Sequence, residues 1–96
     1  TSTSDVAKAV LTMVNKRVTG LYHFANAGYA SRYDVAEFVF ERLSQPVVLK
    51  RCRTADFPAP AVRPLNSRFD CRKIQALLEE PIAPWQESLE QYLRQL

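Results

Sequence analysis

Apolar positions recur at helical spacing in four stretches of this chain, and glycine, proline and polar clusters interrupt the pattern between them. Val6, Val10, Met13 and Val14 form one face of a first helix, for which Thr3 or Ser4 would be the cap. Val35, Ala36, Val39, Phe40 and Leu43 form a second stripe. Ser31 opens that helix, Asp34 completes an S-x-x-D capping-box signature, and Pro46 marks the stop. Asp70 is placed to cap a short third helix carrying Ile74, Leu77 and Leu78, which ends before Pro81. Pro84 or Trp85 starts the last helix, with Trp85, Leu89, Tyr92, Leu93 and Leu96 on one side.

Between these stretches the pattern changes. Residues 21–25 (LYHFA) are short, aromatic and mostly apolar, residues 47–51 (VVLKR) are a second strand candidate opening on two valines, and residues 66–70 make a third short extended piece. The order α-β-α-β-loop-β-α-α predicts an α/β fold, a small sheet of about three short strands with four helices packed on it.

Residues 54–70, TADFPAPAVRPLNSRFD, break every periodicity. Pro58, Pro60 and Pro64 fix φ and remove backbone donors, so the segment is neither a helix interior nor a central strand. It also carries Arg63 and Arg68. A stiffened loop holding guanidinium groups suits an anionic ligand, because Arg grips phosphate or carboxylate with two parallel hydrogen bonds. The competing reading is a surface connection whose charges are merely solvated.

Charge sharpens this picture. The formal net charge is only +3, but residues 50–73 carry seven Lys/Arg against two Asp/Glu, whereas residues 74–96 carry one against four. The basic excess surrounds the loop and favours an anionic partner there. Length and composition set the remaining bounds: 96 residues with 47% hydrophobic content make one modest domain. No apolar run approaches the roughly 20 residues of a membrane span, so no membrane partner is expected. The start has neither an initiator Met nor a signal-peptide pattern and falls inside a helix cap, which predicts a piece excised from a longer chain. Cys52 and Cys71 lack C-x-x-C spacing and have one histidine for company, which argues against zinc and for a reducing, cytoplasmic setting.

Familiar catalytic patterns are missing. With only Gly20 and Gly28, neither a dinucleotide fingerprint nor a phosphate-cradling loop can form. No Tyr is followed four residues later by Lys, which excludes the Tyr/Lys pair of many carbonyl reductases. His23 reads as a packed core histidine and Trp85 as core rather than a stacking platform. The aromatics lie on periodic faces instead of alternating with exposed cations, so nucleic acid is not an expected partner.

In order along nearly the whole chain, four segments carry a family resemblance. TSTSDVAKAV, GLYHFANAGYASRYDVAEFVFE, TADFPAPAVRPLNSRFD and PWQESLEQYL resemble the carboxy-terminal portion of the dTDP-4-dehydrorhamnose reductase family, extended short-chain dehydrogenase/reductases. The Pro/Arg/Ser/Asp segment is the specific part. Arg32 stands where that family usually has Trp, and Ser88 where it usually has Ala; the second departure is expected to be neutral.

The resemblance implies that residues 1–96 are a nucleotide-sugar substrate-binding domain, non-catalytic alone. An amino-terminal Rossmann domain would supply the NADPH site and the Tyr/Lys dyad, and this piece would bind no cofactor itself. Carried over by position, Arg63 is the foremost substrate-binding residue, toward the diphosphate; Asn66 and Ser67 follow, then Arg53 and Thr54. The alternative role for Arg63 is a brace that bonds loop carbonyls. Partners implied are the nucleotide-sugar and the cofactor domain, with self-association through the first helix and residues 21–25 where that domain is missing. A rival reading is a non-catalytic regulatory subunit of the same superfamily. RPLNSRFDCRKI also resembles a segment of the beta subunit of methionine adenosyltransferase, which would make a protein the partner.

Overall fold

The computed structural model describes residues 1–44 and 46–96, and the chain divides into two compact units, Thr1–Tyr29 with Phe69–Leu96, and Ala30–Arg68.

In the first unit, α1 spans Thr3–Asn15. Its cap is Ser2, one position before the expected pair, with Ser2 Oγ accepting the Asp5 N–H. The helix ends in a left-handed turn. Arg17 has φ 53°, its N–H reaches the Val14 carbonyl, and the Val18 N–H reaches that of Met13. This is the bonding of a Schellman motif, usually built on glycine. α3 spans Arg72–Gln75 and α4 spans Trp85–Leu93, starting from Pro84 as the sequence indicates. Cys71 is the residue immediately before α3, yet Asp70 does the capping work: its Oδ1 accepts the Arg72 N–H at 3.0 Å.

The buried apolar residues here are Ala9 and Ile74, and two polar residues, Asn26 and Ser88, are buried with them. Asn26 Nδ2 donates to Asp5 Oδ2 at 2.8 Å, to Ser88 Oγ at 3.1 Å and to the Ala83 carbonyl at 3.2 Å, and Asn26 Oδ1 accepts the Ser2 N–H at 2.7 Å. The Ser88 hydroxyl donates to Asp5 Oδ2. These bonds, the Ser88 one foremost, hold the Asp5 carboxyl below its ordinary pKa. Much of the α1 stripe meets no core: Val6, Val10, Leu11 and Val14 are exposed.

The second unit contains α2, Arg32–Leu43, opened by a full capping box: Ser31 Oγ accepts the Asp34 N–H at 3.1 Å and Asp34 Oδ2 accepts the Ser31 N–H at 2.8 Å. The Ser31 N–H, with the Ser31 side chain second, holds the Asp34 carboxyl below its ordinary pKa. A short 3-10 turn covers Thr54–Asp56. No described residue of this unit is buried, and the α2 stripe is at best half-covered.

The expected three-stranded sheet is absent among the described residues. What exists is one isolated parallel bridge, Ala27 to Pro84, carried by the Ala27 N–H to the Ala83 carbonyl and the Trp85 N–H to the Ala27 carbonyl. β-Propensity reports fit to a neighbouring strand, so a β-rich segment without a partner stays extended but unpaired. In residues 21–25 the end carbonyls are engaged elsewhere: that of Leu21 accepts from Lys73 Nζ at 2.8 Å, and that of Ala25 faces Cys71 Sγ. Residues 66–70 turn locally, with Asn66 Oδ1 accepting the Arg68 N–H. Residues 47–51 have no extended neighbour in their unit. Among the described residues the first unit holds α1, α3 and α4 and the second holds α2, with long irregular connections. No described helix is long and apolar enough to cross a membrane.

A basic loop as the candidate functional site

Prolines and the absence of apolar periodicity keep residues 57–69 out of regular structure, as the sequence requires. Val62 is fully exposed, Leu65 is 94% exposed and Phe57 71% exposed. Arg63 sits between Val62 and Pro64, itself exposed, and makes no hydrogen bond or ion pair among the described residues. The bracing role, in which its guanidinium would bond loop carbonyls, is therefore not what the structure shows.

The other sequence-derived candidates take different roles. Asn66 is committed to its turn through Oδ1, and Ser67 is exposed beside it. The Arg53 N–H is held by Asp56 Oδ2 at 2.8 Å while its guanidinium makes no hydrogen bond among the described residues. Thr54 starts the 3-10 turn and accepts the Phe57 N–H through its carbonyl. All five lie in the unit Ala30–Arg68, with Arg53 and Thr54 at the 3-10 turn, Asn66 and Ser67 at the turn ending on Arg68, and Arg63 between the two.

Six of the seven cations of residues 50–73 fall into two sets; the seventh is Arg68, whose N–H bonds Asn66 Oδ1. Arg51 stacks over the Tyr33 ring at 4.1 Å, and Lys73 lies over the Tyr22 ring at 4.3 Å. Arg72 forks onto Asp70, Nη2 to Oδ2 at 2.6 Å and Nε to Oδ1 at 3.0 Å, which drives the Asp70 pKa down to about 2 and raises that of Arg72. Lys50, Arg53 and Arg63 form the other set, exposed and with no side-chain bond or ion pair among the described residues. Lys50 was not singled out from sequence, although the local charge excess contains it.

No group of three or more His, Cys, Asp or Glu among the described residues is placed to hold a metal. His23 is exposed rather than core, its ring centroid 5.1 Å from that of Phe69. Trp85 is half-buried, close to Gly28. Both cysteines are free thiols, Cys52 exposed. The two glycines offer no fingerprint for a nicotinamide dinucleotide, so these residues do not fit NADPH.

The model of the RmlD substrate binding domain matches residues 1–96. The dTDP-4-dehydrorhamnose reductase of Escherichia coli (strain K12) is 34% identical over 97 residues, covering 94% of this chain and 32% of the relative. That of Mycolicibacterium smegmatis is 34% identical over 92 residues, covering 94% and 28%. The spore coat polysaccharide biosynthesis protein SpsK of Bacillus subtilis is 30% identical over 97 residues, covering 99% and 33%. The chain thus spans about a third of the length of these curated relatives. No solved structure matches it significantly.

Proposed function

The chain belongs to the RmlD substrate-binding domain family, and on that premise we propose that it is the nucleotide-sugar-binding portion of a cytoplasmic dTDP-4-dehydrorhamnose reductase. The longer protein would reduce the 4-keto group of the dTDP-sugar with NADPH, which supplies the hydride. Cofactor and Tyr/Lys dyad would belong to another portion, since this chain has the residues for neither. Alone, the 96 residues would bind and orient without turning substrate over, the positioning contribution to catalysis. Relatives named as reductases favour this reading over the regulatory-subunit alternative.

The observation that carries the proposal is Arg63: an exposed guanidinium on a proline-stiffened loop, with no protein partner among the described residues. Its planar fork matches a diphosphate, and Pro64 on one side and Pro58 and Pro60 upstream reduce the freedom lost on binding. Asn66, Ser67, Arg53 and Thr54 are the secondary contacts proposed around it. The exposed α1 residues Val6, Val10, Leu11 and Val14 would be covered by the cofactor portion, or by a second copy where that portion is lacking.

The test is Arg63→Lys in the full-length protein, titrated with the sugar nucleotide in a calorimeter. A charge-assisted phosphate contact contributes on the order of 1.5–3 kcal/mol, and Lys cannot form the fork, so Kd should rise roughly tenfold or more with Tm unchanged. An unchanged Kd would remove Arg63 from the site.

A further inference from the structure

The buried polar cluster of the first unit lies outside the basic loop and has no part in the binding proposal. Its three side chains come from separate segments: Asp5 from the first turn of α1, Asn26 from the connection after it, Ser88 from α4. Asn26 and Ser88 keep only 8% and 7% of their surface exposed. The Asn26 amide nitrogen has two hydrogens and three acceptors in reach, while Ser88 directs its own hydrogen to Asp5. Each member therefore depends on the other two for satisfaction. Asn26 and Ser88 are buried while Asp5 is half-exposed, so one missing partner leaves the buried pair short of a bond and weakens the network as a unit.

The surroundings extend this dependence to the backbone. Asn26 Oδ1 holds the N–H of Ser2, the residue that caps α1. The next residue, Ala27, carries both hydrogen bonds of the bridge to residues 83–85, immediately before α4. Apolar burial beside the cluster is slight, with Ala9 and Ile74 the buried apolar residues. Polar contacts thus join these segments, where Phe24, Ile82 and Leu89 are only half-buried.

We propose that Asp5, Asn26 and Ser88 form a conformational latch, through which the first turn of α1, the Ala27–Pro84 bridge and α4 open and close as one cooperative element. The charged groups acting on Asp5 are Lys8 of α1 and the Thr1 amino group, while Asn26 and Ser88 face it as neutral donors. Acid loosens the latch by removing the negative charge at the centre of the network.

Hydrogen exchange followed by mass spectrometry on the intact protein tests this, with peptides covering residues 3–15, 24–29 and 82–93, and residues 32–43 as the control. Ser88→Ala is the first variant, because Ala fits the same helix position without added volume. Exchange in all three peptides should accelerate by a common factor of about tenfold at neutral pH, with the control unmoved. Asp5→Asn should produce the same pattern, and the double variant should add little to either single one. In the unmodified protein the protection of the three peptides, corrected for the intrinsic exchange rate at each pH, should fall together as pH drops below 3.8, and Asp5→Asn should abolish that dependence. Acceleration confined to residues 82–93 in Ser88→Ala, or additive effects in the double variant, would show separate elements and overturn the latch.

Discussion

Ser88 on α4 donates its hydroxyl hydrogen to the Asp5 carboxylate on α1, joining two helices 83 positions apart in sequence. Removing that donor leaves a charged acceptor short of a bond in a part-buried setting. Ser88→Ala is expected to lower unfolding stability by about 1–3 kcal/mol, the range for hydrogen bonds to charged groups. A urea titration at neutral pH reads this directly. Comparison with the resembled family suggests a neutral position here, but the hydroxyl is a member of the network.

That contrast shows which parts of the structure the sequence could carry. Helices were legible because their signals are local: Ser31 and Asp34 four positions inclusive, Pro84 before Trp85, apolar stripes of one turn's period. Strands were not, because residues 21–25 and 47–51 hold the right side chains but acquire no partner. The basic loop was legible from its prolines and charge excess. That Arg63 meets no partner among the described residues was not, since that depends on where backbone carbonyls fall in space. Ser88 was hidden for the same reason: on a helix otherwise read by its apolar stripe, nothing local marks a serine as buried against a carboxylate.

Acid should weaken the first unit through Asp5. Its folded pKa lies below the ordinary value of 3.8, with the Ser88 bond the largest cause and the Asn26 bond next. A depressed folded pKa means that the unfolded state takes up protons first as pH falls. The contribution is therefore complete well above 3.8 and lost as pH drops through the lower folded value. Stability measured from pH 6 to pH 2 should decline, and Asp5→Asn should flatten the curve in that window. The side-chain resonance of Asp70, held by Arg72, should titrate near 2 in the folded chain.

Gly28 is expected to be the less replaceable of the two glycines. It has φ 88°, and a Cβ there would meet Trp85 Cδ1 at 3.3 Å. Gly20 has φ 103°, but a Cβ there would make only an ordinary contact, with Lys73 Nζ at 3.9 Å. Both Ala substitutions incur left-handed strain of roughly 1–3 kcal/mol, and Gly28→Ala adds a push on the Trp85 ring beside the bridge. Thermal melts of the two variants should rank Gly28→Ala below Gly20→Ala. Tryptophan fluorescence should shift in the former alone.

Arg17 offers a change in the opposite direction. It occupies the left-handed position of the Schellman motif after α1, at φ 53°, where its Cβ crowds the following carbonyl. The side chain is exposed. Arg17→Gly removes the steric cost, about 1–2 kcal/mol, and returns part of it as extra freedom of the unfolded chain, about 0.5–1 kcal/mol. The net expectation is a gain of several tenths to about 1 kcal/mol. Arg17→Ala separates this cause from charge: it removes the same cation but keeps the Cβ, so it should leave stability where it is. A higher denaturation midpoint in Arg17→Gly, with none in Arg17→Ala, confirms backbone strain as the cause. Equal gains in both would place the cost in the guanidinium instead.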